Sequence, residues 1–291
     1  FCYQETQYWR NNLLIRYLDE IKKQEHPLKF IIAKLLIRSN LSKFFNIKQK
    51  NYTLKFYPSA LSRQLWINPN YEHTATRFFQ DYLKNGDSMI DVGSSIGTVT
   101  LESASHVGDK GKIYSIEPNP RIFKYLHGNI KLNNFKNIQT FNVALGNEDG
   151  IISFSDNSSD AISSVNDSNT GINVTIKSLD SLPINESSIS LLKIDAIGYE
   201  KFVLLGGLKC LKKIKCIHIP IIEKDFRQYG YSFQEIFDIL LQNGFKLFRF
   251  SEKKIIWRIS ELYVPCNEDI LAISDMDDFL NRTKYELRQV M

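Results

Sequence analysis

The chain has 291 residues, of which 43% are hydrophobic and 24% charged, a composition typical of a globular protein. No uninterrupted apolar stretch reaches the ~20 residues of a membrane-spanning helix, so none is predicted. The net charge of +5 is concentrated in residues 1–50, which hold ten basic and four acidic side chains, so a broad basic face for nucleic acid is not predicted. The four cysteines have neither CxxC nor metal-site spacing and indicate thiols of the reducing cytoplasm.

Two helices are predicted in the basic N-terminal segment, over residues 8–25 and 28–47. In the second, apolar residues recur at helical spacing, and cations occupy the other positions, namely Lys29, Lys34 and Arg38. One interpretation is a helical cap on the main domain or a homodimerisation arm. The other is weak contact of residues 28–47 with an anionic membrane surface. We prefer the first, because basic amphipathic helices are common solvated elements.

A strand pair is predicted next, over 52–57 and 63–67, and a helix over 71–84 ends at Asn85-Gly86. Short apolar runs then alternate with amphipathic stretches. The predicted strands cover 88–92, 112–116, 138–142, 174–177, 189–194, 215–222, 245–250 and 269–274. The predicted helices cover 95–106, 119–132, a stretch from about 199, 232–242 and 276–290. This alternation favours an α/β fold in which helices cover both faces of a parallel sheet.

The polar stretch 155–173 interrupts this alternation and is long for a loop of a compact domain. It is interpreted either as a lid over the substrate or as a mobile loop. The division predicted from these elements is a basic helical extension over residues 1–50, a main domain over 52–275 and a helical C-terminal tail over 276–291.

The stretch from Ser88 to Gly97 carries the clearest functional signal. An apolar strand ends in Asp91, and Gly93 and Gly97 then bracket two serines before an amphipathic helix. Glycines in such a turn let the backbone approach a bound molecule, and the helix N-terminus offers free N–H groups there. Glu117 follows twenty residues after the second glycine, near the end of the next strand, where a carboxylate reaches a ribose hydroxyl. The stretch therefore predicts a nucleoside-cofactor site.

An NAD site also has an acidic residue about 20 positions after a glycine turn. Here, however, the turn is Gly-x-x-x-Gly instead of Gly-x-Gly-x-x-Gly, and Asp91 stands two residues before the first glycine. A carboxylate at that position would crowd the pyrophosphate of a dinucleotide and suits a cofactor with a positive amino group. An NAD-dependent oxidoreductase is therefore the less favoured alternative.

Four motifs occur in the order and spacing of one family. They are Ile90-Asp91-Val92-Gly93 with Ile96-Gly97, Glu117-Pro118-Asn119-Pro120, Ser178-Leu179-Asp180, and Leu192-Lys193-Ile194-Asp195 with Gly198 and Glu200. Over about residues 52–275 the chain resembles the FkbM-type S-adenosylmethionine-dependent methyltransferases. The resemblance implies a class I methyltransferase fold, which is a Rossmann-like, seven-stranded, mostly parallel sheet whose last strand is antiparallel. It also implies methyl transfer to a hydroxyl of a sugar or natural product.

The same resemblance assigns cofactor-binding residues. Asp91, Gly93 and Gly97 would surround the methionine part of S-adenosylmethionine. Glu117 would hold the ribose hydroxyls, with Asn119 beside it.

Other positions carried over from the family include Val143-Ala144, which would lie near the adenine. Ser94 and Ser95 stand where the family has Ala-Asn, a small change that leaves cofactor binding in place. Ile197 stands where the family has an acidic or amide residue, so a role that depends on that side chain is not carried over.

Methyl transfer to a hydroxyl is an in-line displacement that benefits from positioning and from a general base. Ligands of open α/β sheets bind at the carboxyl ends of the strands, where Asp195 and Glu223 each follow a strand. Asp195 is the first candidate for the base or for a residue that orients the acceptor, and Glu223 is the second. The alternative for Asp195 is a cap of the helix after Gly198. Glu200 is interpreted as a first-turn acid that complements the helix dipole, and His218 as a buried core histidine.

The favoured function is thus an S-adenosylmethionine-dependent O-methyltransferase acting on a glycan or small hydroxylated metabolite. A non-catalytic protein that keeps the methyltransferase fold is the alternative, because Ile197 departs from the family pattern. Neither a metal site nor a nucleic-acid partner is predicted.

Overall fold

The computed structural model describes residues 21–22, 24–69, 74–154, 171–260 and 263–288. The chain forms two compact units, of which the first contains residues 1–49 and 53–71 and the second contains residues 50–52 and 72–291. Two predictions lie largely outside the described residues. They are the helix over 8–25 and the loop over 155–173.

In its described residues, the first unit contains two helices and a short antiparallel strand pair. Its elements are α1 (Pro27–Arg38), a 3-10 turn (Ser42–Phe44), β1 (Asn46–Lys48), β2 (Thr53–Lys55) and α2 (Ala60–Ile67). The predicted helix over 28–47 is wrong beyond Arg38. Asn40 has a left-handed backbone (φ 58°), which a helix cannot continue, and β1 then pairs with β2.

The second correction concerns residues 63–67, which belong to helix α2 and not to the predicted strand. Ser59 caps this helix, because its side chain accepts a hydrogen bond from the backbone N–H of Ser62 at 3.1 Å. The helix also brings Trp66 into a stack on Phe56, with ring centroids 5.3 Å apart. The sequence signal was the N-terminal cap, which outweighs the β-propensity of a short apolar run.

The second unit alternates strands and helices much as predicted. Its helices are α3 (Thr74–Tyr82), α4 (Thr98–Val107), α5 (Pro120–Asn133), α6 (Glu200–Leu205), α7 (Leu208–Leu211), α8 (Glu223–Gln228), α9 (Phe233–Gln242) and α10 (Met276–Thr283). Its strands are β3 (Ser88–Val92), β4 (Lys112–Ile116), β5 (Ile138–Phe141), β6 (Ala144–Leu145), β7 (Gly150–Phe154), β8 (Ile172–Lys177), β9 (Ile189–Ile194), β10 (Ile214–Ile221), β11 (Lys246–Phe250), β12 (Ile255–Arg258), β13 (Glu268–Ile273) and β14 (Glu286–Arg288).

In the described part of the chain the main sheet has nine strands, in the order β5-β4-β3-β9-β10-β13-β11-β12-β14. The five strands from β5 to β10 are parallel, and β13 runs antiparallel between β10 and β11. The first seven strands of this order match the predicted sheet and its antiparallel last strand. The edge strands β12 and β14 are additional. Strands β6, β8 and β7 form a separate small sheet.

The additional strand β14 also changes the predicted C-terminal helix over 276–290. The helix ends at Thr283, because Lys284 takes a left-handed conformation (φ 60°). The chain then turns back and pairs in parallel with β12.

The core lies on both faces of the central strands β3 and β9. Met89 and Leu191 pack with the buried side chains of α3, α4 and α10 on one face. Their neighbours Ile90 and Leu192 pack with α6, α7, α8 and α9 on the other face. Because successive side chains of a strand point to opposite faces, these near-continuous apolar runs require helices on both sides.

Within the described residues, no helix has both the length and the apolarity needed to cross a bilayer. The three cysteines that they contain, Cys210, Cys216 and Cys266, are free thiols.

A polar network ties α10 to the amino end of the sheet. Asp87 accepts hydrogen bonds from Ser190 Oγ (2.7 Å), the Lys84 N–H (2.7 Å) and Arg282 Nη1 (2.6 Å). Arg282 also donates through Nε to Asp278 at 2.7 Å. Only 16% of the Arg282 side chain and 11% of the Asp87 side chain are exposed, so solvent screens this pair weakly.

The substitution Arg282→Ala should lower the free energy of unfolding by about 3 kcal/mol, because it leaves the Asp87 carboxylate largely buried without its cation. The midpoint of urea unfolding measures this. Arg288→Ala is the matched control, since the Arg288–Glu286 pair is exposed (51% and 62%), and it should leave the midpoint unchanged. Equal midpoints for the two variants would contradict the proposed role of the network.

Candidate functional site

The turn between β3 and α4 is built from alternating left-handed residues. Gly93 (φ 76°), Ser95 (φ 49°) and Gly97 (φ 95°) have positive φ, and Gly97 is the N-cap of α4. Ser94 lies between them, and its hydroxyl donates to the backbone carbonyl of Asp91 at 2.7 Å. The result is a tight reversal of direction directly at the carboxyl end of β3.

The two glycines of this turn are required by the protein's own packing. A Cβ on Gly93 would lie 2.0 Å from the carbonyl oxygen of Asp195, and a Cβ on Gly97 would lie 2.7 Å from Leu126 Cδ1. From the sequence, these glycines were expected to let the backbone approach a bound molecule. In the structure, their Cβ positions meet atoms of the protein itself. The missing side chain of Gly93 lets β3 and β9 end close together, whereas that of Gly97 leaves room for the Leu126 side chain of α5.

Three residues of the predicted site leave the sheet side by side. Val92, the last residue of β3, is in register with the last residue of β4 on one side and of β9 on the other. The residues that follow these three strand ends are Gly93, Glu117 and Asp195. The parallel register thus brings together positions that are far apart in sequence.

Beneath the turn, Asp91 forms a buried ion pair with Lys193 of β9. The Asp91 side chain is fully buried, its Oδ2 accepts from Thr100 Oγ1 at 2.6 Å, and its Oδ1 lies 3.2 Å from Lys193 Nζ. The ammonium also donates to the backbone carbonyls of Val92 (3.2 Å) and Gly93 (2.9 Å). Asp91 was predicted to surround the cofactor; instead, its carboxylate points into this network.

Lys193 is the site residue that the sequence reasoning missed. It lies in the motif Leu192-Lys193-Ile194-Asp195, and no role was predicted for it. Its ammonium nevertheless joins β9 to β3. Burial by itself lowers the pKa of the ammonium, but the Asp91 and Asp195 carboxylates outweigh this and raise it. The available signal was a lysine within the apolar run 189–194, because lysine is almost never fully buried unless it is paired.

Glu117 is buried and held by the backbone at the end of β4. Its carboxylate accepts from the N–H groups of Ser95 (2.9 Å) and Asn119 (2.8 Å). Burial raises the pKa of Glu117 from 4.5 to about 7, although both hydrogen bonds lower it. The Asn119 side chain accepts from the Arg121 N–H (2.9 Å) and caps α5. Glu117 thus keeps unused lone pairs, whereas the Asn119 side-chain oxygen is engaged in the helix cap.

Asp195 is the exposed carboxylate of the group. Its side chain is 53% exposed, and its Oδ2 lies 3.7 Å from Lys193 Nζ. Its backbone N–H donates to the Val92 carbonyl at 3.1 Å, which fixes the start of the following loop. The alternative interpretation, a side-chain cap of the next helix, is wrong, because the N-cap of α6 is Tyr199, four residues after Asp195.

The loop after Asp195 contains a strained residue and is held by hydrogen bonds from Glu200 and Tyr231. Ile197 has a left-handed backbone (φ 48°), which is unfavourable for a β-branched residue. The buried Glu200 accepts from the Ala196 N–H at 3.0 Å, and the Tyr231 hydroxyl donates to the Gly198 carbonyl at 2.7 Å. Burial also raises the pKa of Glu200 to about 7. The dipole interpretation of Glu200 is therefore incomplete, because this side chain orders the loop that carries Asp195.

The second predicted base is engaged elsewhere. Glu223 is the first residue of α8, and its carboxylate accepts from the Phe233 N–H at 3.1 Å and lies 3.6 Å from Arg227 Nε. Val143 is partly buried against the core, and Ala144 is buried in β6.

His218 lies on β10 among aromatic rings, which agrees with a core histidine. It packs against the rings of Phe78, Phe79 and Phe250, at centroid distances of 5.1 to 6.3 Å. Its Nε2 lies 3.3 Å from Asp269 of β13, so the ring has a polar neighbour on one side.

The carboxyl edge of β3, β4 and β9 therefore carries three carboxylates, Asp91, Glu117 and Asp195, with Lys193 as the cation among them. With all groups ionised the site is negative, which favours a positively charged ligand and disfavours the pyrophosphate of a dinucleotide. A tight glycine turn after one parallel strand, with an acidic residue at the end of the next strand, is the arrangement of Rossmann-like nucleoside-binding folds.

The chain belongs to the FkbM methyltransferase family, since the sequence model described as "Methyltransferase FkbM domain" matches residues 91–247, more than half of the chain. This confirms the family resemblance, and with it the predicted cofactor, S-adenosylmethionine. A second sequence model, described as "Protein-L-isoaspartate(D-aspartate) O-methyltransferase (PCMT)", matches residues 13–165 and shares the cofactor turn with the first.

Individual proteins show more distant similarity. A probable cobalt-precorrin-6B C(15)-methyltransferase (decarboxylating) of Sulfolobus acidocaldarius is 33% identical over 54 residues, which are 19% of this chain and 28% of that protein. A methyltransferase FkbM from Methylobacillus flagellatus is 12% identical (TM-score 0.44), with 72% of this chain and 52% of that chain covered. A SAM-dependent methyltransferase from Aquifex aeolicus is 16% identical (TM-score 0.41), with 68% and 87% covered.

The described residues fit S-adenosylmethionine. Glu117 has unused acceptor capacity for two ribose hydroxyls, and such donors favour the ionised carboxylate that burial disfavours. Asp91 and Lys193 are buried beneath the turn and pair with each other.

The substitution Gly93→Ala should both destabilise the protein and abolish cofactor binding, because its Cβ would force the ends of β3 and β9 apart. Gly86→Ala is the matched control, since Gly86 also has positive φ (90°) but open space around its Cβ position. We expect a cost of about 1–2 kcal/mol for backbone strain in the control and about 1–3 kcal/mol more for Gly93→Ala. Urea unfolding and calorimetric titration with S-adenosylhomocysteine measure the two effects. Normal affinity of Gly93→Ala for S-adenosylhomocysteine would contradict the placement of the cofactor site at this turn.

Proposed function

We propose that the protein is an S-adenosylmethionine-dependent O-methyltransferase whose acceptor is a hydroxyl of a glycan or small metabolite. The observation that carries the proposal is the position of Asp195. It is a half-exposed carboxylate that leaves the sheet next to Gly93 and on the same edge as Glu117. Free thiols at Cys210 and Cys216 support the cytoplasm as its location.

Cofactor binding is assigned to Glu117 and to the N-terminus of α4, while the backbone N–H groups of Ser94 and Ser95 hold the turn in place by donating to the Ile116 carbonyl and to Glu117. Glu117 would accept the ribose hydroxyls, and the N–H groups at the start of α4 would face the ligand. When bound, the cofactor supplies a methyl group on a sulfonium sulfur, which leaves as the neutral thioether of S-adenosylhomocysteine when the acceptor oxygen bonds to the methyl carbon. The ion pair of Asp91 with Lys193 supports this geometry from below.

Asp195 is assigned as the general base. A hydroxyl loses its proton as its oxygen attacks, and a carboxylate within hydrogen-bond reach accepts that proton. The loop that carries Asp195 is held by Glu200 and Tyr231, so the carboxylate is positioned before the acceptor binds. Glu223 is a weaker candidate, because the Phe233 N–H already occupies its carboxylate.

Asp195→Asn should lower kcat by about 10²- to 10⁴-fold, because the amide cannot take the proton. The Kd for S-adenosylmethionine should stay within about threefold, since Glu117 is unchanged. Glu223→Gln is the matched control and should retain most of the activity. Formation of S-adenosylhomocysteine with a panel of hydroxylated acceptors measures kcat, and calorimetry measures Kd.

Two outcomes of this experiment would redirect the proposal. Cofactor binding without turnover on any acceptor supports the alternative of a non-catalytic protein with this fold. Full activity of Asp195→Asn on a carboxyl acceptor favours carboxyl methylation, which needs no base because the acceptor is already ionised. The match to the protein-L-isoaspartate O-methyltransferase model is the reason to include such an acceptor.

Cofactor affinity should depend on pH through Glu117. The pKa of about 7 means that the free site is protonated below neutrality, while the ribose hydroxyls require the ionised form. The Kd for S-adenosylmethionine should therefore rise about tenfold per pH unit as the pH falls from 7 to 5.5. Glu117→Gln should bind weakly with no such slope.

Glu200→Gln is the control for this pH experiment. Glu200 has the same raised pKa but is assigned to the loop and not to the ribose, so the slope should persist in this variant. For the free protein, both groups bind a proton more tightly when folded than when unfolded. Stability should therefore fall as the pH rises from about 4.5 to about 7.

A further inference from the structure

The first unit exposes a cluster of large apolar side chains, here called the apolar stripe. It consists of Leu28, Ile32, Leu35, Leu41, Phe44 and Phe45, with exposed fractions from 43% to 76%. Thirteen large hydrophobic side chains are exposed in the described residues, and these six occur within eighteen consecutive positions. Such a concentration marks an interaction surface, whereas single exposed apolar residues are normal.

Helix α1 places its apolar residues on two opposite faces. Leu28, Ile32 and Leu35 are spaced by four and three positions and therefore share one face, which is exposed. Phe30 and Ala33 project from the opposite side of the helix and are buried. The buried face packs within the first unit. The exposed apolar face does not take part in that packing and is available to a binding partner.

Cations surround the apolar stripe. Residues 27–50 contain six Lys or Arg and neither Asp nor Glu. At 100° per residue, Lys29 lies to one side of the exposed face of α1, and Lys34 and Arg38 lie to the other side. An exposed apolar helix face with cations on both sides is typical of a helix that lies in the interface of an anionic bilayer.

The sequence alone favoured a helical cap for this segment, but from the exposed apolar stripe we infer that residues 27–50 dock the protein on an anionic membrane surface, with the apolar stripe inserted among the acyl chains and the cations at the lipid headgroups. The positive charge of residues 27–50 distinguishes a membrane from the other molecules that could cover this surface. A second copy of the chain would present the same positive segment and would be repelled, while the cytoplasmic leaflet is negative and attracts it. A nucleic acid would satisfy the cations but would leave the apolar side chains in water. The inference does not depend on the proposed methyltransferase activity.

The test is co-sedimentation of the full chain with vesicles of phosphatidylcholine alone or with 30% phosphatidylserine. We expect binding to the anionic vesicles at least about tenfold tighter than to the neutral ones, and weaker at high salt. Leu28→Ser with Leu35→Ser should weaken binding about tenfold, as should Lys43→Glu with Lys48→Glu. These side chains are exposed, so thermal unfolding should be unchanged.

The matched control is Leu208→Ser with Leu241→Ser, which removes two exposed leucines of the second unit (41% and 43%, against 76% for Leu28 and 59% for Leu35) and should leave vesicle binding unchanged. Equal loss in control and test variants would overturn the inference. So would absence of binding to anionic vesicles, or a chain that sediments as a dimer and becomes monomeric in the Leu28→Ser, Leu35→Ser variant. Methyl transfer to a soluble acceptor should be the same in all variants, which separates this inference from the proposed function.

Discussion

The candidate site depends on one buried cation. Lys193 reaches from β9 under the end of β3, where it meets the Asp91 carboxylate and the carbonyls of Val92 and Gly93. Taking an ammonium and a carboxylate out of water is costly, and only good geometry with further hydrogen bonds repays it. Here Thr100 and the two carbonyls supply those bonds. The pair therefore fixes how β3 and β9 end, more than it adds net stability.

This ion pair explains why the three carboxylates of the site have different surroundings. Asp91 is buried and paired with Lys193 and Thr100, so it shapes the turn from below. Glu117 is held by backbone N–H groups on the neighbouring strand end and keeps free acceptor capacity. Asp195 is the member that faces solvent, on a loop whose strained residue Ile197 is held in place by Glu200 from below. Three identical functional groups thus differ through burial and hydrogen bonding alone.

Ile197 departs from the family pattern, and its backbone conformation is more informative than its side chain. Its side chain was expected to lack a function that the family has at that position. The structure adds that its backbone is left-handed, which costs of order 1–3 kcal/mol for such a residue. The loop persists because the Tyr231 hydroxyl bonds the Gly198 carbonyl and Glu200 bonds the Ala196 N–H. Position 197 is therefore constrained by geometry, whatever its side chain contributes.

The sequence by itself determined the alternation of strands and helices, the order of the motifs and the family, because apolar periodicity and turn residues are local signals. It missed the helix over 60–67, the end of α1 and the pairing of β14, where caps and left-handed residues override propensity. Only the tertiary structure decided which carboxylate faces solvent and why Gly93 is a glycine. Those properties arise from contacts between strand ends that are about a hundred residues apart, and no local pattern encodes which atoms fill the space between them.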